Sequence, residues 1–509
     1  MSRRMRGVPA KTVVLTALAA AVCAAGLPEV VSALPGTDRP ETEQAKTDQV
    51  VAAQAMTTAA KKARTSLDWG ACDRPDMPVQ DGVQCGTLRV PVDWDQPQSG
   101  TVELRAYRFK AADPAKKKGT ILNFPSGPGE TGDLAFASLR QHLPEYDLIA
   151  LDPRGVGQSG RLSCATEKIL DIPYVPPTDG RKFAALQKNQ RAFWPSCTTN
   201  PAGLKNHLDA YSNAKDAEAL RKAMHLDRIN VYGFSYGTLT AERYLGLYGE
   251  HVNGSVIEGV MNPAQSRRQF VTTAARGMES IFNRFRKWCA EDEACALHGK
   301  DVTAVFRKAQ KTADAGRVPG SLLTTPWSSV AVTRYFELMA PRSFKDTADG
   351  LAKLAQGKNP MPGNEEAGQG GRMPKSMPYA DPIVCSDYDL SVRNAEQARR
   401  DLAATREAAP VLGYSTNSSN YTSICLGGPQ PAKGSGKPVT SRSDRPTLVM
   451  SNTFDPATPH AWADGVARQL GQKATTVRTD KVGHGGGLDN PGTKNRVAAY
   501  LDQANRGGR

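Results

Sequence analysis

Ser235, Asp455 and His484 lie far apart in the chain, yet each has the type and local setting that nucleophilic acyl transfer requires. Gly233-Phe234-Ser235-Tyr236-Gly237 fits the pattern G-x-S-x-G. Alone the match is weak, but its setting gives it weight. An apolar strand-like run (229–232) leads into it and a helix-like run (238–248) leads out, so the glycines allow a sharp turn that exposes the serine hydroxyl. A serine hydroxyl needs a base, and the base needs an orienting acid. Of seven histidines, only His484 sits in a glycine loop, Gly483-His484-Gly485-Gly486, just past the last strand-like run. His142, His207, His225, His251, His298 and His460 fall in helices, at helix ends or between elements, where an ordinary packed or solvated role suffices. Asp455 follows the strand-like run 447–451 in Asn452-Thr453-Phe454-Asp455-Pro456, ahead of Thr458-Pro459, which reads as an N-cap followed by proline at the first helical position.

An acyl-transfer site also needs donors aimed at the developing oxyanion. The run 120–124 ends in Pro125-Ser126-Gly127-Pro128-Gly129-Glu130, where Gly127 can present its N–H, and Tyr236, the residue after the nucleophile, supplies the second. Arg154, in Asp152-Pro153-Arg154-Gly155, reads as a structural ion-pair partner. The order serine, acid, histidine is that of the α/β-hydrolases.

These residues need a scaffold. Strand-like runs (87–92, 102–109, 120–124, 147–151, 229–232, 255–260) alternate with helical spacing (213–224, 238–248), which predicts a mostly parallel sheet flanked by helices. The alternation fails between 263 and 445, where helical pieces (272–289, 302–315, 394–408) are separated by Pro/Gly-rich loops. It resumes with a strand at 447–451, a helix at 460–470, a strand at 474–478 and a helix at 493–504. The predicted architecture is an α/β core (65–262 and 446–509) with an inserted, mainly helical cap (263–445).

The head of the chain reads differently. Arg3, Arg4, Arg6 and Lys11 precede an apolar run to Leu27, and Val31-Ser32-Ala33 offers a small-residue exit. This predicts a secretory signal peptide over 1–33 and an exported protein, with a linker or propeptide over 34–64. No lasting membrane association is expected once the signal is removed. Cysteine use agrees. Outside the leader stand Cys72, Cys85, Cys164, Cys197, Cys289, Cys295, Cys385 and Cys425, an even set suited to four disulfides. Pairing neighbours is the simplest of roughly a hundred connectivities.

Composition narrows the classes further. Over 509 residues, 39% hydrophobic and 23% charged residues describe an ordinary globular chain and exclude a coiled coil or a multi-span membrane protein. The formal charge of +14 is scattered, with no basic stripe interleaved with aromatics, so nucleic acid is not an expected partner. No CxxC, HExxH, Walker loop or GxGxxG is present, and nothing asks for a metal or cofactor.

The motifs together resemble the secreted bacterial tripeptidyl aminopeptidases, relatives of the proline iminopeptidases. The likeness runs from Trp69-x-x-Cys72 and Cys85-Gly86-Thr87-Leu88-Arg89-Val90-Pro91-Val92-Asp93 through Gly127-Pro128-Gly129, Asp152-Pro153-Arg154-Gly155 and the serine motif. It closes with Asp455-Pro456-Ala457-Thr458-Pro459 and Gly483-His484-Gly485. Ser126 stands where the family loop reads glycine, and Glu258-Gly259 where it reads Asp-Gly. The resemblance implies a serine exopeptidase with a helical cap, acting on the free N-termini of peptides or proteins. A substrate ammonium would need a carboxylate, for which Glu258, Glu337, Glu365 and Glu366 are candidates. The rival readings are an extracellular carboxylesterase with the same triad and a secreted binding protein that keeps only the fold.

Overall fold

Strands covered by helices on both faces must be apolar on both faces, and the central runs of this chain are. The computed structural model describes residues 67–73, 80–320, 327–361 and 373–506. The expected signal peptide and linker (1–64), together with Glu365 and Glu366, lie outside the described residues. The strands are β1 (Val83–Pro91), β2 (Thr101–Phe109), β3 (Gly119–Phe124), β4 (Tyr146–Leu151), β5 (Ser163–Ala165), β6 (Ile229–Phe234), β7 (Val252–Glu258), β8 (Ser376–Pro378), β9 (Thr447–Phe454) and β10 (Ala474–Val482). Eight form one sheet in the order β1-β2-β4-β3-β6-β7-β9-β10. β1 and β2 are antiparallel, β2 meets β4 antiparallel, and every pairing from β4 to β10 is parallel.

Alternate residues face opposite layers. Leu122, Ile149, Val231 and Val449 pack with helices Ala210–Ala223, Gly237–Tyr248 and His460–Leu470. Ile121, Leu148, Tyr232 and Leu448 pack with helices Phe136–His142 and Pro491–Arg506. Three strands run further than the apolar pattern indicated. β6 continues through Gly233 and Phe234, β9 through Asn452 to Phe454, and β10 through Thr479 to Val482. Polar residues sustain these ends because neighbouring strands supply the ladder; Thr479 Oγ1, for one, bonds the Asn452 side chain. As a result Ser235 and Asp455 directly follow parallel strands, and His484 stands two residues beyond one. Open α/β sheets bind ligands at those carboxyl ends.

Between β7 and β9 the chain is mainly helical. Helix Arg267–Glu291 starts with a capping box, Ser266 with Gln269, and is followed by Val302–Asp314, Ser329–Met339 and Phe344–Ala355. Their shared core is aromatic: Phe282 meets Phe306 and Phe336 edge-on at 5.3 and 5.2 Å. The stretch 163–206 also joins this region, since β5 pairs antiparallel with β8. Four disulfides are present, Cys72–Cys85, Cys164–Cys197, Cys289–Cys295 and Cys385–Cys425, each between sequence neighbours as expected.

Arg154 is the polar anchor of the core. Its guanidinium, wholly buried, forms a two-pronged bond with Asp216, Nη2 to Oδ1 at 2.7 Å, and also donates to the Pro91 and Val92 carbonyls. Trp94 Nε1 donates to the same carboxylate at 2.9 Å. Four of the five guanidinium N–H groups and both carboxylate oxygens are therefore used, the condition under which a buried pair is tolerated. Removing one partner strands a charge, so Arg154→Met should lower the unfolding free energy by about 3–5 kcal/mol, seen as a fall in the urea midpoint. A loss under about 1 kcal/mol would show that the pair is not the anchor described.

Candidate active site

The turn after β6 is two residues, Ser235 and Tyr236. Ser235 has φ +53°, the left-handed region that a β-carbon disfavours by about 1–2 kcal/mol. The neighbours hold it there. Its N–H donates to the Glu258 carbonyl at 2.9 Å, and its own carbonyl accepts from Thr238 N at 3.0 Å and Thr238 Oγ1 at 2.7 Å. The two motif glycines have separate reasons. A Cβ on Gly237 would lie 2.3 Å from the Phe124 carbonyl oxygen, and one on Gly233 would lie 2.8 Å from Ala241 Cβ. Strand, turn and helix are thus pressed together, and Ser235 is left nearly buried at 8% exposure.

Asp455, 1% exposed, is fixed by its own turn: Oδ1 accepts from the N–H groups of Ala457 and Thr458, both at 2.8 Å. Both carboxylate oxygens face His484 Nδ1, at 3.0 and 2.9 Å. A carboxylate only accepts, so this pair places the proton on Nδ1 and leaves Nε2 as the acceptor. The expectation for Thr458 needs correcting. Helix His460–Leu470 begins one residue later, with Pro459 at the cap, and the Thr458 hydroxyl is turned to the histidine instead of to the helix. The Thr458 hydroxyl lies 3.3 Å from His484 Nδ1.

The histidine loop is held from three sides. Asn452 Nδ2 donates to the carbonyls of Gly483 and Gly485 at 2.8 and 2.9 Å, and Gly487 N donates to Glu258 Oε1 at 2.7 Å. The Phe234 ring lies 4.8 Å from the imidazole, centroid to centroid, and a Cβ on Gly259 would stand 3.0 Å from His484 Cε1. Phe234 precedes Ser235, and Gly259 follows the residue whose carbonyl binds Ser235, so imidazole and elbow are adjacent. Among the described residues no hydrogen bond joins Ser235 Oγ to His484, and such contacts often tighten only on substrate binding. Burial alone would lower the His484 pKa. Asp455, by charge and hydrogen bond, and the charges of Glu258 and Glu130 outweigh it, and the net direction is upward from 6.5.

Gly127 has φ +114° and precedes a cis Gly127–Pro128 bond; a Cβ there would lie 2.5 Å from Gly129 N. Only glycine fits. The loop is closed by Glu130, whose Oε2 accepts from Ser126 N at 2.6 Å. Sequence reasoning passed over Glu130, although an acid four residues beyond an exposed turn amide is a recognisable closure. Burial pushes its pKa up, and the Ser126 bonds pull against that.

Of the four glutamates considered for a substrate ammonium, the two among the described residues are placed otherwise. Glu258 is buried, one oxygen bonded to Gly487 N and the other to the Tyr232 hydroxyl. Glu337 holds the start of helix Thr416–Ile424, accepting from Thr416 N at 2.7 Å and from the Thr416 hydroxyl; burial pushes it up to about 7. Both are committed within the fold. Among the described residues there is no group of three or more His, Cys, Asp or Glu able to hold a metal, and no helix long and apolar enough to cross a membrane.

Comparison with known proteins bears out the resemblance read from the motifs. The chain is similar to serine protease Hip1 of Mycobacterium tuberculosis, 26% identical over 79% of this chain and 82% of that protein. It is also similar to the tripeptidyl aminopeptidase of Streptomyces lividans, 24% identical over 88% and 86%, and to carboxylesterase B of M. tuberculosis, 26% identical over 77% and 79%. Residues 119–491 match the model of the alpha/beta hydrolase fold, most of the sheet and all of the insertion included, and the chain belongs to that family.

Proposed function

We propose that the chain is an exported serine aminopeptidase that releases short peptides, tripeptides in the first instance, from free N-termini. The observation that carries the hydrolase reading is the Asp455–His484 pair, set at 2.9 Å beside a serine in the left-handed region. Ser235 Oγ attacks the substrate carbonyl while His484 Nε2 takes its proton, and Asp455 steadies the imidazolium through Nδ1–H. The negative charge that develops on the carbonyl oxygen is met by the N–H groups of Gly127 and Tyr236, each worth about 3 kcal/mol in such sites. Collapse of the tetrahedral intermediate passes the proton to the leaving amine and leaves an acyl-Ser235, which water resolves by the same steps in reverse roles.

The peptidase reading is favoured by the similarity to proteins named for peptidase activity over most of both chains. The four disulfides support an oxidising compartment, and hence export. The domain reading, an α/β core interrupted by a helical cap at 263–445, is kept as part of the proposal. The second reading, a carboxylesterase, is favoured by the similarity to carboxylesterase B and uses the same residues.

Ser235→Ala should remove at least about ten-thousand-fold of turnover while leaving the melting temperature unchanged. Retained activity would displace Ser235 as nucleophile. Because the base must be neutral and its pKa is raised, kcat/KM should fall with decreasing pH through a midpoint above 6.5. Glu130→Gln keeps an acceptor for Ser126 N but removes one charge that raises His484, so the midpoint should move to lower pH; an unmoved midpoint would refute the coupling. A matched set of amino-acyl, dipeptidyl and tripeptidyl anilides, free and N-acetylated, with a short-chain ester, decides the substrate class. Cleavage of the free tripeptide, lost on acetylation, is the expected result. Ester turnover with indifference to acetylation would establish the esterase.

A further inference from the structure

Tyr236 is an unusual residue to open a helix. Ser, Thr, Asp and Asn are preferred there because their side chains bond the first free N–H groups, and Tyr236 makes no such bond. Its own N–H has no backbone acceptor among the described residues. The side chain instead spans to the inserted segment, where its hydroxyl donates to Asp387 Oδ2. Asp387 is 5% exposed, and its other oxygen accepts from Ala210 N at 2.9 Å. Helix Ala210–Ala223 takes only one of its two oxygens, at Ala210 N, while Asp209 serves Ser212 N at 3.0 Å; the other oxygen of Asp387 is given to Tyr236. Burial pushes Asp387 up to about 7, the charge of Asp209 adds to that, and the bonds from Tyr236 and Ala210 with the charge of Arg243 oppose it. Placing an acid there is costly unless its partners matter.

The same run of chain touches the other side of the site. A Cβ on Gly129 would lie 3.0 Å from Ala380 Cβ, and Ile383 walls one apolar cavity with Pro128, Gly129 and Tyr236. The Cys385–Cys425 disulfide fastens the run to the end of helix Thr416–Ile424. Residues 380–387 therefore lean on the loop that carries Gly127 and grip Tyr236.

We propose that Asp387 is a positioning residue for the oxyanion hole, holding Tyr236 through its hydroxyl so that the Tyr236 N–H stays aimed at the oxygen of the intermediate. This rests on the serine-hydrolase reading above. Asp387 touches no substrate and acts through Tyr236 alone.

The test is a double-mutant cycle on the full chain with Tyr236→Phe, Asp387→Asn and both together. Tyr236→Phe removes one oxygen atom and keeps the ring and the peptide, so it decides the matter alone should Asp387→Asn not fold. Each single variant, shown folded by its melting curve, is expected to lower kcat on a short-chain nitrophenyl ester about 10–100-fold. KM should stay within about twofold, and the double variant should be no worse than the weaker single. Labelling by a fluorophosphonate, whose P=O oxygen occupies the oxyanion position, should slow by the same factor. A purely structural role would lower the melting temperature and leave turnover per folded molecule unchanged. A folded Tyr236→Phe with wild-type kcat and labelling rate, a loss confined to KM, or additive losses would overturn the proposal. Wild-type protein that neither takes the label nor hydrolyses the ester would overturn the serine-hydrolase reading, and this proposal with it.

Discussion

The site depends on how closely the helix after β6 is allowed to approach the end of β3. A β-carbon on Gly237 would lie 2.3 and 2.4 Å from the Phe124 and Pro125 carbonyl oxygens, so no other residue permits the contact. That approach fixes several things together. It brings the turn at Ser235 next to the loop carrying Gly127, and leaves only Ser235 and Tyr236 to make the turn. It also leaves the serine in a backbone region it would not choose. The strain is held by bonds on both sides of the serine peptide, to β7 through Glu258 and to the helix through Thr238.

Glu258 shows how such a site is kept in register. Its carbonyl binds the Ser235 N–H, while its carboxylate binds the loop beyond the histidine and the Tyr232 hydroxyl in β6. One residue thus spans the two pieces of chain that must meet. Its charge also acts on His484 in the same direction as Asp455 and Glu130. A carboxylate serving the base in this way is no longer free to receive a substrate.

The candidate triad residues were legible because Ser235 and Asp455 follow apolar strands and His484 lies in a glycine-rich loop, patterns short enough to read locally. The strand ends themselves were not. Asn452, Thr453 and Thr479 have no apolar signature, and only the parallel neighbour makes them strand. Helix Thr416–Ile424, sequence TNSSNYTSI, has poor intrinsic propensity and forms because Ser415 caps it and Glu337 holds Thr416. Thr458 read as a cap, and its hydroxyl lies instead 3.3 Å from His484 Nδ1, a partner 26 residues away. Asp387 and Glu130 escaped notice for a related reason: their meaning lies in partners distant in sequence or hidden by a loop's closure, and residue type alone does not reveal it.

Helix Arg267–Glu291 crosses directly over the acid turn. Gly277 is seated so that a β-carbon would fall 2.9 Å from Pro459 Cγ, with the Asp455 carbonyl oxygen just beyond at 3.8 Å. At that distance a side chain of any size on Gly277 would push the helix off the acid turn, so the seat of the inserted segment above Asp455 depends on that one position.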